Sequence, residues 1–477
     1  MGYSDLRPKK PNPESFSVSG NSVPHGCETS CFLAKKKNRD GGVFLQIPAR
    51  TVTIPSEATA RIQRQQSEKA NKTNNKDRTR GNGFGMFGSV LNRKQKPDVS
   101  TMLLMICVTL CLAVRVSNSA PLLSINSPDG DIIDCVKRED QPSFQHQLLT
   151  NHTIQEPPTL PNMVQKDLVW QVWHRNGTKC PDGSIPIRRL IGRQNGTTGS
   201  NAANRVLREH AVGKMNNPPK IYGTEATMNV WHPHVEVDEE FSLGQIWLTS
   251  GSYNNNDVNS LEAGWQLYPY LYGDYHPRFF IYWTTDAYYL TGGYNLRAPG
   301  FVQTSKRVAI EGAIDQTSIF GGIQFEITIR MWKDQRLRSW WLAVVFGDIF
   351  EPVGYWPASL FTLQIDYAIE VEWGGEIVNT NPFGRHTTTQ MGSGCFPDSG
   401  VGKVAYMRNL KVALSENNFQ PLDDLMVILT HPDYYRAKRF NSSTVYFGGP
   451  QQITSIAVDM TVDLFILYLG FSLFLLI

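Results

Sequence analysis

From about residue 220 onward, apolar and polar positions alternate in short runs. Ile323, Phe325, Ile327, Ile329 and Met331 alternate with Gln324, Glu326, Thr328 and Arg330. Successive side chains of a strand point to opposite faces, so this pattern predicts a strand with one buried face. Residues 279–283 and 340–346 are unbroken apolar runs, the form of strands covered on both sides. Glycine and proline punctuate the runs, at Gly292-Gly293, Gly321-Gly322, Gly354, Pro357 and Gly392. No long helical period appears. The pattern predicts an all-β fold, an antiparallel β-sandwich over 218–450.

Two of these strands carry acid where a core strand carries none. In 369–378, Ile369, Val371, Trp373 and Ile377 take one parity and Glu370, Glu372 and Glu376 the other. In 261–267, Glu262, Gly264 and Gln266 share a face opposite Ala263, Trp265 and Leu267. A buried carboxylate is costly without a partner, so such a face is either wet or working. Brought together, Glu262 and Glu376 could share a proton, one acting as base and the other as acid. The alternative is that they are ordinary solvent-facing residues of a sheet.

The chain ahead of the sandwich divides further. The 477 residues carry a net charge of +3, but residues 1–100 hold 18 Lys+Arg against 8 Asp+Glu. That basic segment lacks apolar periodicity and is expected to be a disordered extension or a gene-model artefact, not a nucleic-acid arm. Arg93, Lys94 and Lys96 then precede an apolar run at 102–114 and small residues at 117–120. This is the layout of a signal peptide or signal anchor over 101–120, with Met86 or Met102 as the expected start. Secretion, to the cell exterior or the vacuole, follows. The sequons at Asn151, Asn176, Asn195 and Asn441 all lie beyond that run and fit it. Residues 121–215 read as a separate module. An oxidising compartment favours pairing its two cysteines, Cys135 and Cys180. A polar connector at 192–199 and a short helix over 203–212 are expected to close it. At the other end, 451–477 finishes in 14 apolar residues, 464–477, which fit a GPI signal or an altered terminus. Membrane attachment is open through 101–114 or 464–477.

Other chemistry is thinly represented. Cys27, Cys31 and His25 form half of a metal site with no second half at zinc spacing. His232, His234 and Glu236 would share a strand face and could hold zinc, although no further ligand set points to them. There is no Gly-x-Ser-x-Gly elbow, and no phosphate loop or dinucleotide fingerprint stands out. No metal or organic cofactor is expected.

Residues 221–450 resemble the neprosin domain of plant secreted proteins. The shared motifs include Tyr222-Gly-Thr-Glu-Ala-Thr-Met-Asn-Val-Trp231, Glu262-Ala-Gly-Trp-Gln266, Tyr282-Trp-Thr-Thr-Asp-Ala-Tyr288, Gly354-Tyr-Trp-Pro357, Glu372-Trp-Gly-Gly-Glu-Ile377 and His386-Thr-Thr-Thr-Gln-Met-Gly-Ser-Gly394. Residues 126–190 similarly resemble the activation peptide that precedes that domain, through Ser127-Pro-Asp-Gly-Asp131, Trp173-His174 and Ile185-Pro-Ile-Arg-Arg189. The resemblance implies a glutamic peptidase made as a proenzyme, cutting proline-containing peptides after proline. It maps the glutamate pair to Glu262 and Glu376, with Glu372 as the fallback for the second. Which is acid and which base stays open. Gln266, on the face of Glu262, is a candidate donor to the tetrahedral oxygen. The expected partners are proline-containing peptides or proteins and the chain's own activation peptide, which would shield the cleft until low pH. No nucleic acid is expected. One departure stands out: two cysteines usual in the family fall here at Gly293 and Ala298. The rival reading is a non-catalytic module that binds wall glycan or proline-rich protein.

Overall fold

The computed structural model describes residues 52–53, 120–157, 170–175, 177–190, 206–216, 218, 220–347 and 349–451. Almost all of 1–100, the apolar run at 102–114, Asn176, Asn195, the 192–199 connector and 452–477 lie outside the described residues. Among the described residues no helix is long and apolar enough to cross a membrane.

Two large antiparallel sheets pack face to face, the expected sandwich. The first runs, in spatial order, Leu425–Leu429, Leu207–Met215, Glu370–Asn379, Ser242–Ser250, Asn259–Leu267, Arg278–Thr284 and Gly293–Tyr294, with Val52–Thr53 added in parallel at one edge. The second runs Val302–Gln303, Ile349–Pro357, Ser339–Phe346, Glu326–Asp334, Gly223–Asn229, Ala405–Ala413, Thr444–Gly448 and Arg436–Asn441. Neither sheet closes on itself.

The alternation read from the sequence decides which side chains meet between the sheets. Val371, Trp373 and Ile377 point inward with Leu261, Ala263 and Trp265, and join Ala226, Met228, Ile327, Ile329 and Met331 in one core. Two buried indoles cross the sandwich and find partners there. Trp373 Nε1 donates to Thr224 Oγ1 at 3.1 Å, and Trp265 Nε1 donates to the Asn229 carbonyl at 3.0 Å. These bonds let bulky aromatic side chains fill the core without orphaning their N–H groups.

The 203–212 helix expectation is corrected: Leu207–Met215 is a strand between Glu370–Asn379 and Leu425–Leu429. Hydrogen bonding along both edges outweighs a local helical preference, which Gly213 weakens in any case. A Cβ on Gly213 would also collide with Leu425.

The N-terminal module is a three-stranded sheet, Leu123–Asn126, Ile132–Lys137 and Ser184–Arg188, bridged by a Cys135–Cys180 disulfide. Ile125, Ile133 and Trp173 pack with the disulfide and with Ala309 of the sandwich. Two glutamine side chains then behave like strand backbone. Gln171 donates to the Ala309 carbonyl at 2.7 Å and accepts from the Ala309 N–H at 2.9 Å. Gln141 does the same to Gln303, at 3.2 and 2.7 Å. A charged cluster completes the dock. Asp131 bonds Arg188 and the fully buried Arg278, which also pairs with Asp274.

Replacing Trp265 by Phe strands the buried Asn229 carbonyl, at a cost of about 1–3 kcal/mol beyond the lost packing. Urea unfolding of Trp265→Phe is expected to show that loss, and a midpoint equal to wild type would deny the cross-sheet bond its role.

Candidate active site

The outer face of the first sheet carries the acidic residues. Its register arranges them in three rows. Lys214, Glu372, Trp247, Glu262 and Tyr282 lie side by side across five strands. The next row is Val212, Gly374, Gln245, Gly264 and Phe280. The third is His210, Glu376, Leu243, Gln266 and Arg278. Glu262 and Glu376 therefore sit two strands and two rows apart, each diagonal to Gln245. The middle row is low because glycine flanks Gln245 on both sides. A Cβ on Gly264 would strike the Gly244 carbonyl, and one on Gly374 the Ala211 carbonyl. These glycines leave a hollow between the two carboxylates.

The two glutamates are held in different electrostatic states. Glu262 is 5 % exposed and, among the described residues, touches no cation; it accepts from Gln245 Nε2 at 2.9 Å, Ser260 Oγ at 2.8 Å and Tyr288 Oη at 2.7 Å. Burial pushes its carboxyl above the ordinary value, and the negative charge of Glu376 adds to that, against the three donors. Glu376 is 3 % exposed and is paired with Arg208 at 2.6 Å, with His210 Nε2 at 3.6 Å. Burial pushes the His210 imidazole down, although Glu376 opposes it. The arrangement favours a proton on Glu262 and sets a guanidinium against Glu376.

Aromatic rings wall the hollow. Trp247 stands between Glu372 and Glu262, and Tyr282 lies beyond Glu262. Tyr288 stacks near Tyr253 and tilts against Tyr282. Ala287 and Tyr288 both have positive φ, +55° and +68°, a conformation that costs energy outside glycine. Asp286 holds that turn by accepting from the backbone N–H groups of Leu290 and Thr291. A strained loop thus delivers the Tyr288 hydroxyl to Glu262.

The other residues singled out by sequence fall elsewhere. Glu372 is in the row of Glu262, beside Lys214 and Glu370. Gln266 is in the row of Glu376, and both ends of its amide are taken. Tyr272 Oη donates to its Oε1 at 3.0 Å, and its Nε2 lies 3.4 Å from Tyr294 Oη. Glu236 turns away from His232 and His234 to accept from the Thr388 hydroxyl and pair with Arg385. Among the described residues no group of three His, Cys, Asp or Glu side chains could hold a metal ion. The loop around Gly293 and Ala298 is tied by polar contacts: Asn295 accepts from Ile281 N, and Arg297 pairs with Glu311. Among the described residues, the hydrogen bonds and ion pairs of the 120–190 module fall on other segments, such as Asp274–Arg278 and Phe301–Asp315, and none reaches Glu262 or Glu376.

Sequence reasoning missed Gln245, Arg208 and Tyr288. Gln245 had a signal, as the polar residue sharing a parity with Leu243 and Trp247. Arg208 had none, since it meets Glu376 across 168 positions of sequence.

Two family models match the chain in succession: the neprosin activation peptide over residues 124–221 and neprosin over 238–450. The chain belongs to the neprosin family. Among solved structures it is similar to Scytalido-glutamic peptidase bound to a peptide-based transition-state analogue, at 12% identity and a TM-score of 0.29 over 50% of this chain and 97% of that one. It is also similar to SCP-B, described as a member of the eqolisin family of peptidases in complex with the tripeptide Ala-Ile-His, at 10% identity and a TM-score of 0.27 over 50% and 97%. The neprosin activation-peptide match runs through Leu207–Met215. The strand that supplies Arg208 and His210 to Glu376 thus falls within that match.

Glu372 offers a test of this neprosin site's electrostatics. Burial raises its carboxyl from the ordinary 4.5 to about 7, helped by Glu370 and opposed by Lys214. The folded state therefore binds a proton that the unfolded state releases at lower pH. The stability from that proton is complete below about 4.5 and is lost as pH rises through about 7. Melting temperatures taken from pH 4 to 8 should fall more steeply for wild type than for Glu372→Gln. Parallel slopes would show that Glu372 does not titrate in this way.

Proposed function

We propose that the chain is the proenzyme of an acid-acting glutamic endopeptidase that hydrolyses proline-containing peptides, cutting after proline. Family membership, with an activation peptide ahead of the neprosin domain, supports a proenzyme peptidase. The observation that carries the mechanism is the unequal treatment of two buried glutamates. Among the described residues one has a cation and the other has none.

Glu376, charged beside Arg208, is the base; Glu262, kept neutral by burial, is the acid. Water gives a proton to Glu376 as its oxygen bonds to the scissile carbonyl carbon. The carbonyl π pair moves onto oxygen, where the Glu262 O–H receives it. Collapse restores the carbonyl and breaks the C–N bond, and the leaving nitrogen takes the proton from Glu376. Both glutamates return to their starting states, and one water has been added across the bond.

The aromatic wall supports the preference for proline. Proline-rich segments adopt a preformed extended helix that docks in aromatic-lined grooves. Trp247, Tyr253, Tyr282 and Tyr288 supply such a lining beside Glu262. Export to the cell exterior or the vacuole, with glycans on the exposed Asn151 and Asn441, is part of the same reading.

Cleavage of a quenched proline-containing peptide tests it. The acid-activated wild type should lose activity as pH rises through the raised Glu262 pKa, because the acid is then ionised. Glu262→Gln and Glu376→Gln should each lower kcat by about a hundredfold or more. Full activity in either folded variant would end the two-glutamate mechanism. No cleavage by a folded, activated wild type would favour a binding role.

A further inference from the structure

Gln245 is fully buried at the centre of the sheet face, on the strand between those of Glu262 and Glu376. Its direct neighbours across both ladders are Gly374 and Gly264, so its amide is the side chain that fills the middle of the hollow. Glu262 and Glu376 are its two cross-strand diagonals, on opposite sides. Diagonal residues on a sheet face lie about 7–8 Å apart, within reach of long side chains.

A buried amide at this position is costly unless both ends are used. Nε2 is used, donating to Glu262 Oε2 at 2.9 Å. Oε1 is almost wholly shielded from solvent and, among the described residues, has no hydrogen-bond partner. An apolar side chain of similar size would fill the space without that penalty. An unpaired acceptor on the strand between those of the base and the acid fits a donor that arrives with the reaction.

Resting on the glutamic-peptidase reading above, we infer that Gln245 is a third catalytic residue, whose Oε1 holds the attacking water against Glu376. The water gives one hydrogen to Glu376 and directs the other at Gln245 Oε1. Its remaining lone pair then faces the hollow where the scissile carbonyl lies. Arg208 already occupies Glu376 Oε1, and His210 Nε2 stands 3.6 Å from Oε2, outside hydrogen-bond reach, so Oε2 is the oxygen that takes the proton. Gln245 neither gains nor loses a proton. It fixes the direction of attack, and through Nε2 it sets the acid as well. Ser260 and Tyr288 both bond Glu262 Oε1. The acid proton therefore belongs on Oε2, where Gln245 is the one partner among the described residues and the O–H can point into the hollow.

The test uses the full chain after acid activation, with wild type, Gln245→Met, Gln245→Asn and Glu376→Gln compared on one quenched proline-containing peptide. Gln245→Met removes both hydrogen bonds, and Gln245→Asn withdraws the amide by one methylene. Each should lower kcat by about a hundredfold, the scale of losing one preorganised polar group, with KM within about threefold of wild type. Loss of the Nε2 donor also removes support for ionised Glu262. The decline in rate with rising pH should therefore move to higher pH in Gln245→Met. If Gln245→Met does not fold, Gln245→Asn decides by the same kcat and KM criteria. Folded Gln245 variants with near-wild-type kcat, beside an inactive Glu376→Gln, would overturn this role alone. A wild type without hydrolysis at any pH would overturn it together with the proposed function.

Discussion

The cleft depends on the register of one strand, Ser242–Ser250. Its pairing with Glu370–Asn379 on one side and Asn259–Leu267 on the other sets every row of the site. A slip of one residue would turn Leu243, Gln245 and Trp247 into the sandwich and send Gly244, Ile246 and Leu248 outward. The inner face forbids that slip. Ile246 and Leu248 belong to the core, and Gly244 lies against the Trp265 indole so closely that no Cβ would fit. The same Trp265 is bonded across to the second sheet. The positions of the carboxylates are therefore fixed by apolar packing on the opposite side of the sheet.

Much of this was legible in the sequence because strands write their two faces at alternate positions. Glu262 and Glu376 stood out as acids opposite tryptophans, and the structure places both on one outer face. The glycines beside them were equally visible. What alternation could not give is which strands are neighbours. Arg208 and Glu376 meet only because a strand from before the sandwich inserts beside Glu370–Asn379. The stretch holding Arg208 was expected to be helical, as its alanines and short polar repeats suggest. Its two-sided hydrogen bonding comes from partners more than 150 residues away. Gln266 illustrates the converse. Its parity was read correctly, but two tyrosines from other segments take up its amide.

Charge and geometry are separately controlled in the site. Glu262 and Glu376 are nearly equally buried, yet one is surrounded by neutral donors and the other by a guanidinium. Neutral donors orient a carboxyl without fixing its charge, whereas a cation does both. A similar division appears at the Glu262 end, where a strained turn and Asp286 position Tyr288 without adding a charge.

The glutamine pairing of the N-terminal module has a consequence for how acid acts on this molecule. Amides do not titrate, so the Gln171–Ala309 and Gln141–Gln303 contacts are indifferent to pH. Acid can address the docking through carboxylates such as Asp274 and through histidines such as His152 and His174, which bond Tyr355 Oη and the Arg307 carbonyl. Burial works to raise Asp274, but His276 and Arg278 outweigh it and hold its carboxyl far below the usual range. Much of the interface is thus written in groups that mild acid cannot reach. A cut in the chain beside it would separate the two pieces covalently while leaving them joined in space.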